Sequence, residues 1–195
     1  MKLLTSIVAL LVAGHVSASN IQQDLQGAIF GVEQQLGIQV LSENEALGVN
    51  WKVGDQNSYS LDMGFIKGSM VMTVAEIGDD GIWLNQDMDL GFAGKQQARA
   101  LIDPNTGEVK KLIVNGQEQQ VPKQNVEIIE TKEDKITVPA GTFECIFVRL
   151  RDKDQNKDIQ TWINPRQIPI SGMLKTIQPG QFGDVTLLLK SFKKN

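Results

Sequence analysis

The side chains that most often carry acid–base and nucleophilic chemistry are scarce in this chain of 195 residues. Its single histidine, His15, lies in an N-terminal apolar segment, and its single cysteine is Cys145. Ser-His-Asp and Cys-His catalysis need an imidazole base, and zinc sites usually need histidine or several cysteines. If the N-terminal segment is cleaved off, no imidazole remains, so these classes of enzyme and metal site are nearly excluded.

Carboxylate chemistry remains open at one pair of aspartates. Asp87 and Asp89 lie two residues apart on a predicted strand, so both face the same side of it, together with Trp83 and Asn85. Such a pair could serve a glycosidase-like site, which uses two carboxylates, or a carbohydrate-binding site. Alternation along the polar outer face of a sheet explains the same pattern, and we favour that interpretation.

Residues 152–158 read D-x-D-x-N-x-D, which is the first half of an EF-hand calcium loop. Lys157 stands where that loop needs glycine, and Ile163 stands where it needs a bidentate glutamate. The segment therefore predicts a solvated hairpin tip without calcium. Taken together, these patterns predict a protein that is not an enzyme, with no catalytic residue, no bound metal and no cofactor.

Residues 1–18 have the layout of a secretory signal peptide. Lys2 gives a positive start, residues 3–14 are apolar and uncharged, and Val16-Ser17-Ala18 fits a cleavage site after Ala18. We expect an exported, periplasmic protein whose single domain spans residues 19–195. Loss of Lys2 shifts the net charge from −4 to −5, which argues against a nucleic-acid partner. No apolar stretch of the mature chain is long enough to span a membrane.

The elements that would position these residues are one helix followed by strands. An amphipathic helix is predicted at the start of the mature chain, with its apolar residues on one stripe: Ile21, Leu25, Ile29, Val32 and Leu36. From about residue 56 onward, alternating apolar residues and turn signals predict ten or eleven short strands. Residues 126–129 and 135–138 read as two separate strands in this series.

One predicted strand is apolar on both faces. Its two sets of side chains are Phe143, Cys145 and Phe147 on one side and Ile146, Val148 and Leu150 on the other. An antiparallel sheet normally leaves one face to water, so this strand needs cover on each side. We therefore predict a mainly β fold, a strongly curved antiparallel sheet or unclosed β-barrel with the N-terminal helix as a lid, and a buried Cys145.

The apolar stripe of the helix must be buried, and the inside of the curved sheet is the surface available to it. The residues predicted to line that space are Ile29, Leu61, Met63, Met72, Leu84, Met88 and Leu187. A cavity lined by methionine and leucine suits a flexible acyl chain. The sequence thus predicts a binding or carrier protein for a lipid or other hydrophobic ligand. The alternative is a structural or interaction protein of the cell envelope, with a filled core and a protein partner.

A resemblance points the same way. Residues 136–145 read I-x-V-P-A-G-x-F-x-C, followed by W-I-N-P at residues 162–165 and I-P-I-S-G-M-L-K at residues 168–175. This pattern is similar to that of exported bacterial proteins of unknown function, and it resembles the LolA/LolB-like superfamily of periplasmic lipoprotein carriers. The resemblance implies an unclosed antiparallel barrel of about eleven strands around a helical lid. For the carriers' cavity arginine no motif chooses between Arg149 and Arg151.

Overall fold

The computed structural model describes residues 50–121, 125–180 and 183–195, so the predicted signal peptide and N-terminal helix, with Ile29, lie outside it. The described residues form eleven strands, confirming the predicted number. The strands are β1 (Gln56–Asp62), β2 (Lys67–Gly78), β3 (Gly81–Asp89), β4 (Lys95–Ile102), β5 (Val109–Val114), β6 (Gln117–Gln119), β7 (Val126–Val138), β8 (Gly141–Asp152), β9 (Lys157–Ile163), β10 (Met173–Gly180) and β11 (Gly183–Lys193). A single 3₁₀ turn, Gly91–Ala93, joins β3 to β4. Within these ranges no helix has the length and hydrophobicity to cross a membrane.

All eleven strands belong to one antiparallel sheet in the order β6-β5-β4-β3-β2-β1-β11-β10-β9-β8-β7. Every two consecutive strands pair except β6 and β7, and the first and last strands pair with each other at the centre. The edge strands β6 and β7 do not pair together, so the sheet is not closed. This confirms the predicted open antiparallel architecture.

The sheet is strongly curved, because the β7–β8 turn reaches β11. The Ala140 N–H donates to the Leu189 carbonyl at 3.1 Å. The rings of Phe143 and Phe192 meet edge to face with their centroids 6.4 Å apart. Strands β9 and β10 lie between β8 and β11, and in a flat sheet this would keep them about 14 Å apart. Only a curled sheet brings these groups together.

The curvature gives the sheet an enclosed face and an outer face. We define the enclosed face by the alternate buried residues of β1, β2 and β3, such as Tyr59, Met72 and Leu84. Directly opposite residues of antiparallel strands share a face, so the register carries this face across the sheet, for example from Leu61 through Leu187. The alternate residues on the outer face are mostly partly or fully exposed.

Turn chemistry fixes the hairpin register where the sequence predicted it. Asn115 and Gly116 both have positive φ, 49° and 80°, and join β5 to β6 in two residues. This is the backbone that a type I′ turn needs and that Asn-Gly favours. Between β2 and β3, the two-residue connection at residues 79–80 also lies where turn residues predicted it.

The prediction of two strands at residues 126–129 and 135–138 is wrong, since both belong to the continuous strand β7. The polar residues between them gave no strand signal. β7 is an edge strand, and most of its side chains are exposed, so it needs no apolar alternation to pair with β8. A bulge between Ile128 and Glu130 further breaks the period of two.

Strand β8 is buried on both faces, as predicted. Val148 and Leu150 lie on the enclosed face and pack with Ile163. On the outer face Phe147 packs against Trp162, with ring centroids 5.0 Å apart, and the Lys132 ammonium lies 4.8 Å from the Phe147 ring centroid. Side chains of the sheet itself therefore cover Phe147 on this face.

Candidate ligand-binding face

The predicted lining residues that the structure describes come together on the enclosed face. They are all buried members of one hydrophobic cluster: Leu61, Met63, Met72, Leu84, Met88 and Leu187. Strands β1, β2, β3 and β11 contribute to it, which is why residues distant in sequence meet there. The structure does not describe Ile29, and whether the other six bind a ligand stays a prediction.

Methionine is concentrated in this cluster. Every methionine after Met1 is buried in it: Met63, Met70, Met72, Met88 and Met173. Methionine has three rotatable bonds and a polarizable sulfur, so it adapts to differently shaped apolar partners. The enclosed face of β1 to β3 is therefore lined with the most adaptable apolar side chains in the chain.

On strands β1 to β4 three carboxamide side chains interrupt this apolar surface, and we call Asn57, Gln86 and Gln96 the amide patch. Their exposed fractions are 0%, 1% and 7%. Asn57 on β1 lies opposite Met72 on β2, which lies opposite Gln86 on β3. Gln96 on β4 is the diagonal neighbour of Gln86. The register thus places Gln86 beside Gln96 and puts Asn57 one strand away from Gln86, all on the enclosed face.

The amide nitrogens of two of these residues have partners, but the oxygens do not. Asn57 Nδ2 donates to Tyr59 Oη at 2.9 Å and to the Pro169 carbonyl at 2.7 Å. Gln86 Nε2 contacts Met70 Sδ at 2.6 Å. The buried Oδ1 of Asn57 and Oε1 of Gln86 and Gln96 have no hydrogen-bond partner in the described part of the chain. Buried acceptors are normally satisfied, so three together are unusual.

The loop that holds Asn57 has an uncommon backbone. Ile170 has φ of 52°, a left-handed conformation that β-branched residues rarely adopt. Two hydrogen bonds hold residues 164–172 in place. The Asn164 N–H donates to the Gly172 carbonyl at 2.8 Å, and Asn57 Nδ2 donates to the Pro169 carbonyl. Backbone outliers of this kind are enriched at functional sites. The outlier adjoins the amide patch.

Among the described residues one charged side chain is buried, and it is a carboxylate. Asp55 is buried, and its oxygens accept the backbone N–H groups of Lys52 and Asn195 at 2.9 and 2.8 Å. No lysine or arginine is buried among the described residues. The two arginines left open for a cavity role lie elsewhere: Arg149 pairs with Glu130, and Arg151 pairs with Asp158.

The carboxylates considered as catalytic or metal ligands are already engaged at the surface. Asp87 accepts a bond from Gln97 Nε2 at 2.9 Å, and Asp89 pairs with Lys95 at 3.5 Å on the outer face. Within the described residues no cluster of three or more aspartate, glutamate, histidine or cysteine side chains is arranged to hold a metal. These positions fit the polar outer face that the alternation predicted.

Cys145 is buried, in agreement with the prediction. Its Sγ donates to the Asp134 carbonyl at 3.5 Å. Burial raises the pKa of the Cys145 thiol to about 11, and the charges of Asp134 and Glu144 act in the same direction. A thiol with so high a pKa is protonated at neutral pH and is a poor nucleophile.

The amide patch was not predicted from the sequence, although the chain contains a signal for it. Asn57 is in phase with Tyr59 and Leu61, and Gln86 is in phase with Leu84 and Met88. A polar residue that occupies a buried position of an alternating strand is more informative than one on the polar face. The expectation of an apolar lining drew attention to its neighbours instead.

Comparison with known proteins finds no family model that matches the chain and no match among curated proteins. Among solved structures, the hypothetical protein CT021 from Chlamydia trachomatis superposes with a TM-score of 0.48 at 11% identity, over 75% of this chain and 89% of that one. A Bacteroides fragilis protein with a YmcC-like fold gives 0.41 at 10% identity, over 77% of this chain and 100% of that one. MucB gives 0.43 at 9% identity, over 75% of this chain and 55% of MucB. At this level of similarity, function has to be inferred from the chain's own residues.

Proposed function

We propose that this protein is a non-catalytic, exported binding protein for a hydrophobic ligand such as a lipid or acyl chain, held against the enclosed face of the sheet. The observation that carries the proposal is a buried methionine-rich cluster containing three carboxamide oxygens without partners. A core that served packing alone would gain nothing from these oxygens, because each unpaired buried acceptor costs about 1–3 kcal/mol.

The energetics of an acyl chain fit such a surface. Each buried methylene contributes about 0.8 kcal/mol, so eight methylenes would contribute about 6 kcal/mol before ordering costs are subtracted. Adaptable methionine side chains reduce the repacking that a ligand would require. We therefore expect affinities in the micromolar range for single-chain amphiphiles.

The first experiment is native mass spectrometry of the protein purified from its host, where we expect a co-purifying lipid. The second is a titration of delipidated protein with the neutral dye N-phenyl-1-naphthylamine, whose fluorescence increases in apolar surroundings. Met88→Ala is expected to change the dye's dissociation constant by about threefold or more. Ile163→Ala, which shortens a buried side chain in the separate cluster with Val148 and Leu150, is the matched control and should leave it unchanged.

Delipidated protein that takes up no dye and carries no lipid would instead support the alternative, a structural or interaction protein of the envelope with a filled core. Export is tested separately. N-terminal sequencing of periplasmic protein should begin at Ser19, and intact Met1 in a membrane fraction would contradict the predicted cleavage after Ala18.

A further inference from the structure

We propose that the end of the ligand lying against the amide patch is an uncharged group that donates hydrogen bonds, such as a hydroxyl or an amide, and not a carboxylate or phosphate. This inference rests on the proposed function and specifies the chemistry of its ligand. It follows from which atoms of the patch are paired and from the charges around them.

The paired and unpaired atoms of the patch differ in kind. Both nitrogens with a described contact, Asn57 Nδ2 and Gln86 Nε2, already face an acceptor or a sulfur. The three atoms without partners are all acceptor oxygens, on Asn57, Gln86 and Gln96. Only a donor can satisfy an acceptor, so the complementary ligand group carries O–H or N–H bonds.

The surrounding charge argues against an anionic group. The buried carboxylate of Asp55 lies two residues before Asn57 in the chain, and no buried lysine or arginine is described that could offset a second negative charge. Burying an anion without a cationic partner is far more costly than burying a hydroxyl. Three carbonyl dipoles with their negative ends toward the ligand add to this cost.

The geometry of the sheet favours one head group contacting the neighbouring oxygens of Gln86 and Gln96. Gln86 lies on β3 between Asn57 on β1 and Gln96 on β4, and the rows that connect them contain Met70, Met72 and Met88. A polar head can therefore reach more than one acceptor while its chain lies on methionine side chains. A glycerol or amide head has the required number of donors.

The test uses three probes with the same lauroyl chain and different heads. These are monolaurin, which has two free hydroxyls, methyl laurate, which has no donor, and ionised laurate. Each is titrated into delipidated protein at pH 8 by displacement of N-phenyl-1-naphthylamine. We expect monolaurin to bind at least about tenfold more tightly than either of the others, since one good hydrogen bond has roughly that value.

The variants separate the head group from the chain. Gln86→Met and Gln96→Met keep the side-chain length and remove the acceptor, so each should lower the preference for monolaurin to about threefold or less while methyl laurate binds as before. Gln97→Met makes the same change one residue along β4, on the outer face, and should leave the preference intact.

A second measurement needs no ligand. Because the Gln86 oxygen has no partner, Gln86→Met should leave the thermal midpoint of the delipidated protein unchanged or raise it. A clear loss of midpoint would mean that the oxygen stabilises the fold, and this would overturn the inference. Equal binding of the three probes, or preference for laurate, would also overturn it while leaving the proposed function standing. If no probe binds, the proposed function fails and the inference fails with it.

Discussion

Two parts of the enclosed face bury polar side chains, and they treat them differently. On β9 and β10, Thr161 and Thr176 are both fully buried, and the Thr176 hydroxyl donates to Thr161 Oγ1 at 2.9 Å. Thr161 in turn donates to the Lys175 carbonyl at 3.2 Å, so both hydroxyl protons are used. On β1, β3 and β4 the amide patch leaves three oxygens unused.

Whether a buried polar group has a hydrogen-bond partner separates a structural group from one that is available for binding. A satisfied pair adds little net stability but makes the register specific, because a slipped strand would separate the two hydroxyls. An unsatisfied acceptor has no such role in the folded chain. Its burial lowers stability, and a ligand that donates to it would recover that loss.

The apolar neighbours of the two regions differ in the same sense. Around β8 and β9 they are branched aliphatic residues with few rotamers, Val148, Leu150 and Ile163. Around the amide patch they are mainly methionines with many rotamers. The side chains around β8 and β9 thus favour one fixed packing, whereas those around the amide patch can adopt several.

The largest effect is expected where the two regions are joined, in the loop of residues 164–172. Gly172 has φ of 75°, and a Cβ there would lie 2.5 Å from the backbone nitrogen of Pro165. Gly172→Ala should lower the free energy of unfolding by about 3 kcal/mol or more, through left-handed strain plus a clash with backbone. Urea unfolding measures this.

Gly116→Ala is the matched control for that substitution. Gly116 also has a positive φ, 80°, but a Cβ there would meet nothing within 4 Å. It should cost about 1–2 kcal/mol, the conformational term alone. Equal losses of unfolding free energy in the two variants would mean that the loop of residues 164–172 adjusts freely. It would then not fix the position of one region against the other.

The next effect concerns the threonine pair directly. Thr161→Val removes the acceptor of the Thr176 hydroxyl and should cost about 1–3 kcal/mol in urea unfolding. Thr161→Val with Thr176→Val should cost less than the sum of the two single variants, because neither hydroxyl is then left unpaired. Gln86→Met, by comparison, should cost nothing. If the threonine variants left the free energy of unfolding as unchanged as Gln86→Met does, paired and unpaired buried groups would not differ in their contribution to stability.

A smaller effect is expected from Cys145 at high pH. Its pKa is raised to about 11 in the folded chain from an ordinary value of 9.0, so between these two pH values the unfolded chain ionises first. Stability should therefore fall as pH rises through this window, and it should be unaffected by the thiol below pH 9.

Cys145→Ala supplies the reference for that measurement, since lysines also titrate at high pH. The urea midpoint of the native chain should fall more steeply than that of the variant between pH 9 and 11. Alkylation by iodoacetamide at pH 8 should also be slow until urea unfolds the protein. Parallel pH curves together with rapid alkylation of the folded chain would show that the thiol is accessible.

How far the sequence predicted these features depends on which interaction fixes each one. Alternation and turn residues such as Asn115-Gly116 act locally, so the strand number, the antiparallel pairing and the burial of Leu61 or Leu84 could be read from them. The curl of the sheet could be expected from the two apolar faces of β8. The split of β7 was wrong because an exposed edge strand has no burial pattern to read.

The amide patch could not be read in the same way, because its character depends on what its oxygens fail to meet. Asn57 and Gln96 are 39 residues apart in sequence and share one face of the sheet only through the pairing of β1 to β4. The alternation along their strands predicts that both side chains are buried. Their lack of partners depends on tertiary structure alone.

The smallest effect is expected at the tip between β8 and β9. Its side-chain oxygens already have hydrogen-bond or ion-pair partners, so we expect them not to bind calcium. Asp152 Oδ1 accepts the N–H groups of Asp154 and Gln155 at 2.8 and 2.9 Å. Arg151 pairs with Asp158 and donates to Asn156 Oδ1 at 3.2 Å.

These contacts bring a cation to two of the four side chains of the D-x-D-x-N-x-D pattern, and the guanidinium holds the pKa of Asp158 below its usual range. A calcium ion would have to displace Arg151, and it would find Ile163 where a bidentate carboxylate is needed. We expect calorimetry with millimolar calcium to show no heat of binding and the thermal midpoint to stay unchanged. A micromolar site that Asp152→Ala abolished would show that paired oxygens in this protein can still be recruited. The distinction between the threonine pair and the amide patch would then lose its predictive value.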